Sequence, residues 1–320
     1  MAMFLVTGGA GFIGSNLTHK ILENGDSVRV LDDLSTGRIE NLEKTKGDFE
    51  FIEGDICNEE TVKKAAQGVD FILHQAALPS VQRSIENPAA SNFVNVAGTL
   101  NMLIAARDQK VKRFVMASSS SVYGNTPTLP KVEEMPTLPL SPYAVSKLAA
   151  ERYAMSFNIV YGVPTVAFRY FNVFGPRQDP KSHYAAVIPL FINALLRGEA
   201  PIVHGDGEQS RDFTFIENVV HGNLLACESD LASGNAMNLA CGDRLTLNSL
   251  IEKLEIILDV KANAKYVESR TGDVKHSQAG IELARKLLNY EPQVKFDEGL
   301  RRTVAYYKSI FESSIITAVA

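Results

Sequence analysis

The sequence predicts a parallel, doubly wound α/β sheet followed by a smaller C-terminal α+β lobe, and three observations carry that expectation. A glycine triplet joins a short apolar run to an amphipathic segment near the N-terminus, strand-like and helix-like patterns then alternate as far as residue 172, and beyond it Pro176, Pro180, Pro189 and Pro201 with Gly205-Asp206-Gly207 break the chain into shorter pieces. Such alternation implies right-handed crossovers and parallel strands. It divides the chain into residues 1–172, with segments near 212–242 returning to the first domain, and a lobe made mainly of 173–320.

Taken in order, Phe4, Leu5 and Val6 read as a buried strand. Gly8, Gly11 and Gly14 follow at a three-residue spacing and open a helix whose apolar positions are Phe12, Ile13, Leu17, Ile21 and Leu22. Gly25-Asp26 stops that helix, and residues 28–31 form a second strand ending in Asp32, 18 residues after Gly14. Residues 49–52, 71–73, 114–117 and 165–168 are the further strands, with a short helix at 61–67. A long helix carries Phe93, Val94, Val96, Leu100, Leu103 and Ile104 on its apolar side. In the C-terminal lobe, Leu247, Leu250, Ile251, Leu254, Ile257 and Leu258 mark one amphipathic helix, and Leu300, Val304, Tyr307 and Phe311 another.

A chain of 320 residues is long for one core, and an apolar content of 45% with mixed charge describes a soluble globular protein. The net charge of −5 gives no general attraction to nucleic acid or to an anionic membrane. No apolar run is expected to reach bilayer-spanning length, and the N-terminus lacks a basic leader, so a cytoplasmic location is expected. Cys57, Cys227 and Cys241 have no metal-type spacing and suit a reducing compartment. The six histidines show no paired-ligand spacing, so no metal is expected, and His74 and His221 read as packing or hydrogen-bonding residues.

The first strand-turn-helix carries the chemistry. Glycines at this spacing allow a tight turn, let backbone N–H groups approach a pyrophosphate, and let helix and strand pack closely. Asp32 stands where a carboxylate accepts hydrogen bonds from the adenosine ribose hydroxyls. That charge repels the 2′-phosphate of NADP and favours NAD, while Arg38 nearby works the other way. Ligands in such sheets sit beyond the carboxyl ends of the strands. This directs attention to 8–14, Asp32, Asp55, 75–77, 118–121 and 169–172.

Ser-Pro-Tyr-Ala-Val-Ser-Lys (141–147) puts Tyr143 and Lys147 on one face of a helix, with Pro142 at its start and Ser141 as its cap. Together with Thr-Gly-Gly-Ala-Gly-Phe-Ile-Gly (7–14), Asn-Val-Ala-Gly-Thr (95–99), Ser-Ser-Ser-Ser-Val-Tyr-Gly (118–124), Arg-Tyr-Phe-Asn-Val-Phe-Gly (169–175) and Ser-Arg-Asp-Phe-Thr-Phe-Ile (210–216), the chain resembles the extended short-chain dehydrogenase/reductases, and among them the nucleotide-sugar 4-epimerases. Gly-Asp-Val-Lys-His-Ser (272–277) and Tyr-Ala-Ala-Val-Ile-Pro (184–189) look most like enzymes acting on UDP-N-acetylhexosamines.

That resemblance implies a Rossmann-type domain holding NAD, transient oxidation at carbon 4, rotation of the 4-keto sugar and its reduction from the other face. It implies cofactor contacts from Gly8, Gly11, Phe12, Ile13, Gly14, Asp32, Asp33, Asp55, Ile56, Gln75, Ala76, Ala77, Asn95, Ser118, Tyr143, Lys147, Tyr170 and Val173. For the UDP-sugar it implies Ser80, Ser119, Ser120, Tyr143, Asn172, Ala186, Val187, Ile202, His204, Arg211, Arg270, Asp273 and Ser277. Arg211 and Arg270 would clamp the diphosphate, because a guanidinium fork matches phosphate oxygens. Small Ser277 would leave room for an N-acetyl group, while Pro79 departs from the glycine or lysine frequent in related enzymes.

Tyr143 would be the base, with Ser119 or its neighbour Ser120 relaying the proton. A phenol of pKa ~10 must fall by about 3 units, or about 4 kcal/mol, to work near neutrality. A cation ~5 Å away at an effective dielectric of ~20 supplies about 3 kcal/mol, the part expected of Lys147 with the nicotinamide ring. The serines at 118–121 argue against the sister dehydratases and decarboxylases, which place acids there. A UDP-glucuronate 4-epimerase and a non-catalytic NAD-sensing scaffold are the alternatives. The resemblance also implies a homodimer built from helices around 94–103 and 144–157.

Overall fold

The computed structural model describes residues 1–43, 45–180, 186–269 and 274–319, with side chains through Ser313. In chain order the first half comprises β1 (Met3–Thr7), α1 (Phe12–Glu23), β2 (Ser27–Asp32), β3 (Phe49–Glu53), α2 (Glu59–Ala66), β4 (Phe71–His74), α3 (Val81–Glu86), α4 (Pro88–Asn92), α5 (Thr99–Gln109), β5 (Arg113–Ser119), α6 (Pro142–Tyr161) and β6 (Thr165–Tyr170). The second half comprises β7 (Val173–Phe174), α7 (Val187–Leu196), β8 (Ile202–His204), β9 (Ser210–Arg211), β10 (Thr214–Phe215), α8 (Ile216–Glu228), β11 (Asn235–Leu239), β12 (Leu245–Thr246), α9 (Leu247–Leu258), β13 (Lys265–Val267), α10 (Glu282–Leu288) and α11 (Phe296–Val319).

Seven strands form one sheet in the order β11-β6-β5-β4-β1-β2-β3, and every pairing in it is parallel. The chain runs outward from β1 to β3, then crosses back to β4 and runs outward the other way. The order therefore reverses between β1 and β4, where Thr7 lies opposite His74, and that switch point opens a crevice at the carboxyl ends.

Period-two alternation sorts the strands onto two layers. Phe4, Val6, Val30, Leu73 and Val115 pack on one face with Leu17 and Ile21 of α1 and Val219 of α8. Leu5, Leu31, Ile72, Phe114 and Met116 pack on the other with Met102 and Leu103 of α5 and Ala150 and Phe157 of α6. The remaining strands pair as β10 with β7, β12 with β9 and β13 with β8 beyond the carboxyl edge.

The long helix departs from expectation in phase and in character. Residues 93–98 form a π turn between α4 and α5, and the wider turn rotates the residues beyond it about the helix axis. Asn95 is consequently buried, whereas Phe93 and Ile104, assigned to the apolar side from sequence, are exposed. The continuous helix Pro88–Gln109 is long and apolar enough to cross a bilayer by length and composition, which corrects the expectation that no such stretch exists. Here it is a layer helix, with Thr99, Met102, Leu103 and Ala106 buried.

Candidate active site

A cavity of about 800 Å³ occupies the crevice at the switch point. Its floor begins with the glycine turn. Gly8 takes φ +66°, and a Cβ there would sit 2.8 Å from the Ala76 backbone nitrogen. A Cβ on Gly14 would fall 2.1 Å from the Gly8 carbonyl oxygen, so α1 meets β1 closely only because the side chain is absent. At the end of β2, Asp32 accepts from the Ala10 N–H and the Leu34 N–H, both at 2.9 Å. Burial pushes its carboxyl up, and those N–H bonds oppose the shift. A side-chain-free cradle beside an acid at the second strand end fits the pyrophosphate and ribose of a dinucleotide.

Of the cofactor residues expected from sequence, Gly8, Gly11, Phe12, Ile13, Gly14, Asp32, Asp33, Asp55, Ile56, Gln75, Ala76, Ala77, Ser118, Tyr143, Lys147, Tyr170 and Val173 line this cavity. Asn95 does not. It lies behind the wall, where Oδ1 accepts from the Leu78 N–H at 2.8 Å and Nδ2 donates to the Leu78 carbonyl and to Ser146 Oγ. The π turn brings it inward, so it fixes the loop after β4 from the back. The Ser118 hydroxyl also turns away, donating to Glu151 at 2.7 Å.

Tyr143 and Lys147 sit on the first turns of α6, which Ser141 caps by accepting from the Ala144 N–H at 3.1 Å. Ser119 is the serine that faces them. It hydrogen-bonds Tyr143, and its Oγ accepts from the Ser121 hydroxyl at 2.8 Å and from the Ser121 N–H at 3.2 Å. Those acceptances leave the Ser119 hydroxyl proton to point at the phenol. Ser120 lies outside the cavity wall.

From sequence, the tyrosine's shift is expected of Lys147 together with the nicotinamide ring, and the protein's own groups set its starting point. Burial pushes the Tyr143 phenol up, and the Ser119 hydrogen bond opposes it. Burial also lowers Lys147 to about 8. The ammonium is thus retained at neutral pH.

A second cavity of about 410 Å³ adjoins the first. Of the residues that the resemblance gives to the UDP-sugar, Asn172, Val187, Ile202, His204 and Arg211 line it, while Ala186 and Ser80 line the first cavity. Asn172 belongs to both walls; it takes φ +33° and donates to the Asp212 carbonyl at 3.1 Å. Asp212 is itself buried and accepts from the N–H groups of Cys241, Gly242 and Ala279, tying three loops together behind the pocket.

Arg270 and Asp273, with residues 184–185 and 272 of the two specificity motifs, lie outside the described residues. Ser277 lines neither cavity; its N–H donates to the Ser210 carbonyl at 3.0 Å, one residue from Arg211.

Several lining residues escaped the sequence reading. Arg83, on α3, projects into the wall of the first cavity, three positions after the Ser80 cap that could have marked it. Gln178 and Asp179 stand three and four positions after the 169–175 motif. Phe191, Glu199, Gln209 and Leu247 of the second cavity come from elements without a motif.

A parallel sheet whose switch point holds a glycine cradle, a ribose-reading acid and a Ser-Tyr-Lys cluster defines a dinucleotide-dependent enzyme of the short-chain dehydrogenase/reductase type. Residues 4–240 match the NAD dependent epimerase/dehydratase family, and the chain belongs to that family. It is 37% identical over 309 residues to a putative UDP-glucose 4-epimerase of Methanocaldococcus jannaschii, covering 96% of this chain and 99% of that one. It is 35% identical to a UDP-glucuronate 4-epimerase of Thermodesulfobacterium geofontis, covering 98% of both. A UDP-N-acetylglucosamine 4-epimerase from Methanobrevibacter ruminantium, solved with UDP-N-acetylmuramic acid, superposes with a TM-score of 0.92 at 40% identity, covering 97% of this chain and 99% of that one.

Proposed function

We propose that this protein is a 4-epimerase of UDP-hexoses whose preferred pair is UDP-N-acetylglucosamine and UDP-N-acetylgalactosamine. One observation carries the epimerase reading: the Ser119–Tyr143 hydrogen bond lies in a cavity that adjoins a second through Asn172. NAD supplies a reversible two-electron oxidation at carbon 4 when bound. The protein supplies the proton chemistry. Tyr143 acts as the phenolate, to which the Ser119 hydroxyl donates and near which Lys147 keeps a positive charge; its Oη takes the proton of the sugar 4-hydroxyl and becomes the neutral phenol, and it returns that proton when the 4-keto sugar is reduced. Arg211 and the walls of the second cavity hold the nucleotide while the sugar occupies the first.

The acetylated preference is supported by the likeness to the UDP-N-acetylglucosamine 4-epimerase; Ser277, small as the resemblance requires, is held beside β9 by its backbone. Incubating the protein with UDP-N-acetylglucosamine and following the anomeric NMR signals tests it directly. The galactose-configured product is expected, and S277Y is expected to lose the acetylated pair selectively. Turnover of only the unacetylated pair would overturn the preference. A UDP-glucuronate 4-epimerase is favoured by a different observation, Arg83 in the wall of the first cavity, which offers a cation to a sugar carboxylate. Assaying UDP-glucuronate in parallel separates the two.

We also propose a homodimer. Exposed Phe93 and Ile104 on the π turn and α5, with exposed Val145 and Tyr153 on α6, support a shared helical face. A sedimentation measurement giving only monomer would remove it.

A further inference from the structure

Six residues beyond Asp32 stands Arg38, in the region where a guanidinium accommodates the extra phosphate of NADP. The backbone fixes its place. The Arg38 N–H donates to the Ala10 carbonyl at 2.9 Å, and the Ala10 N–H in turn donates to Asp32. A Cβ on Gly37 would sit 2.7 Å from Asp32 Oδ1, so the residue preceding Arg38 runs against the ribose-reading carboxylate itself. Yet the guanidinium is engaged elsewhere: Nη2 donates to Asp179 Oδ2 at 2.6 Å.

Asp179 comes from the segment after β7 and is delivered by a strap tied down at several points. Asn16 Nδ2 donates to the Pro176 carbonyl, Arg177 Nη1 donates to Asn16 Oδ1, and the Tyr307 hydroxyl donates to the Gln178 carbonyl. Arg38 and Asp179 both line the cofactor cavity together with Asp32 and Asp33. Among the described residues, this rim therefore sets Asp32, Asp33 and Asp179 beside the Arg38 guanidinium.

We propose that Asp179 is a cofactor-specificity residue: by holding Arg38 it withholds the guanidinium from a 2′-phosphate and keeps the cavity selective for NAD over NADP. Asp32 excludes the phosphate by its own charge, and Asp179 removes the cation that would offset that exclusion.

The test reads which dinucleotide the full-length protein takes up from an equimolar mixture of NAD and NADP, with bound nucleotide released and quantified by chromatography. Sugar turnover is not read, so the outcome is independent of the substrate. D179N is expected to raise the bound NADP-to-NAD ratio roughly fivefold or more, since one rim charge is removed and one released. R38A is expected to lower the ratio, because the cation at this rim is removed while Asp32 and Asp33 remain. The double variant R38A/D179N is expected to return close to the wild-type ratio. A ratio unchanged in folded D179N, a ratio raised in R38A, or a gain that persists in the double variant would each overturn the proposal. R38A alone decides the sign if D179N does not fold.

Discussion

Lys147 and His74 are two basic groups buried beneath the same cavity, and they are held in opposite charge states at neutral pH. Burial, and then the Lys147 charge, push His74 down to about 3, so its imidazole is neutral. The partners decide the tautomer. Thr99 Oγ1 donates to the Asn95 carbonyl at 2.7 Å, so His74 Nε2–H donates to Thr99 at 2.9 Å. Nδ1 then accepts from the Thr7 hydroxyl at 2.7 Å. The histidine is a neutral strut between β1 and the start of α5, and the lysine is the charge.

With Lys147 at about 8, the ammonium is present below that pH and lost above it. Turnover is expected to fall roughly tenfold per pH unit on the alkaline side, if loss of the charge abolishes activity. Stability moves the other way through the same group. Between about 8 and the ordinary value of 10.5 the unfolded chain binds a proton that the folded one lacks, so this lysine's contribution to stability rises with pH across that window. Turnover and thermal unfolding followed from pH 7 to 10 check both signs.

Y143F is expected to lower turnover by about 10²–10⁴-fold while the protein still binds NAD. S119A removes the one bond that opposes the burial shift on the phenol, so it is expected to slow turnover and move the basic group's apparent pKa upward. S120A is expected to do neither, since Ser120 lies off the cavity wall. Steady-state pH profiles of the three variants distinguish the serines.

G14A is expected to disrupt the cradle before any ligand arrives. An added methyl group would overlap the Gly8 carbonyl, and overpacking of this kind costs about 1–3 kcal/mol or more. Thermal unfolding without NAD reads the cost, and nucleotide content after purification reads the lost site.

Beneath Ser118, the fully buried Glu151 receives the Arg169 guanidinium at 2.7 and 3.0 Å. Burial disfavours the charged guanidinium, but the Glu151 bonds and charge outweigh it and hold Arg169 above its ordinary value. E151Q leaves a buried cation without its counter-charge and is expected to cost about 3–5 kcal/mol, read by denaturant unfolding.

The parts of this molecule legible in its sequence are those in which one local pattern decides the outcome. The glycine spacing and Asp32 marked the first strand-turn-helix, and Ser141-Pro142 marked the start of α6, because turn and cap chemistry act within a few residues. The π turn was not legible, since apolar periodicity assumes one constant pitch and an extra residue per turn shifts it; Asn95, Phe93 and Ile104 were misplaced for that one reason. Long-range electrostatics were equally hidden. Spacing put Lys147 beside Tyr143, but the direction of the tyrosine's shift depends on how thoroughly the fold dries both groups. Asp179 joins Arg38 across 141 positions, a distance no motif spans.

The single asparagine common to both chambers has a mechanical consequence. Under the proposed function, a ligand long enough to reach past Asn172 is tethered by its nucleotide end in one room while its other end swivels in the next. On that reading, a turn that ends with the wrong face presented is repeated on the same leash, without a second encounter.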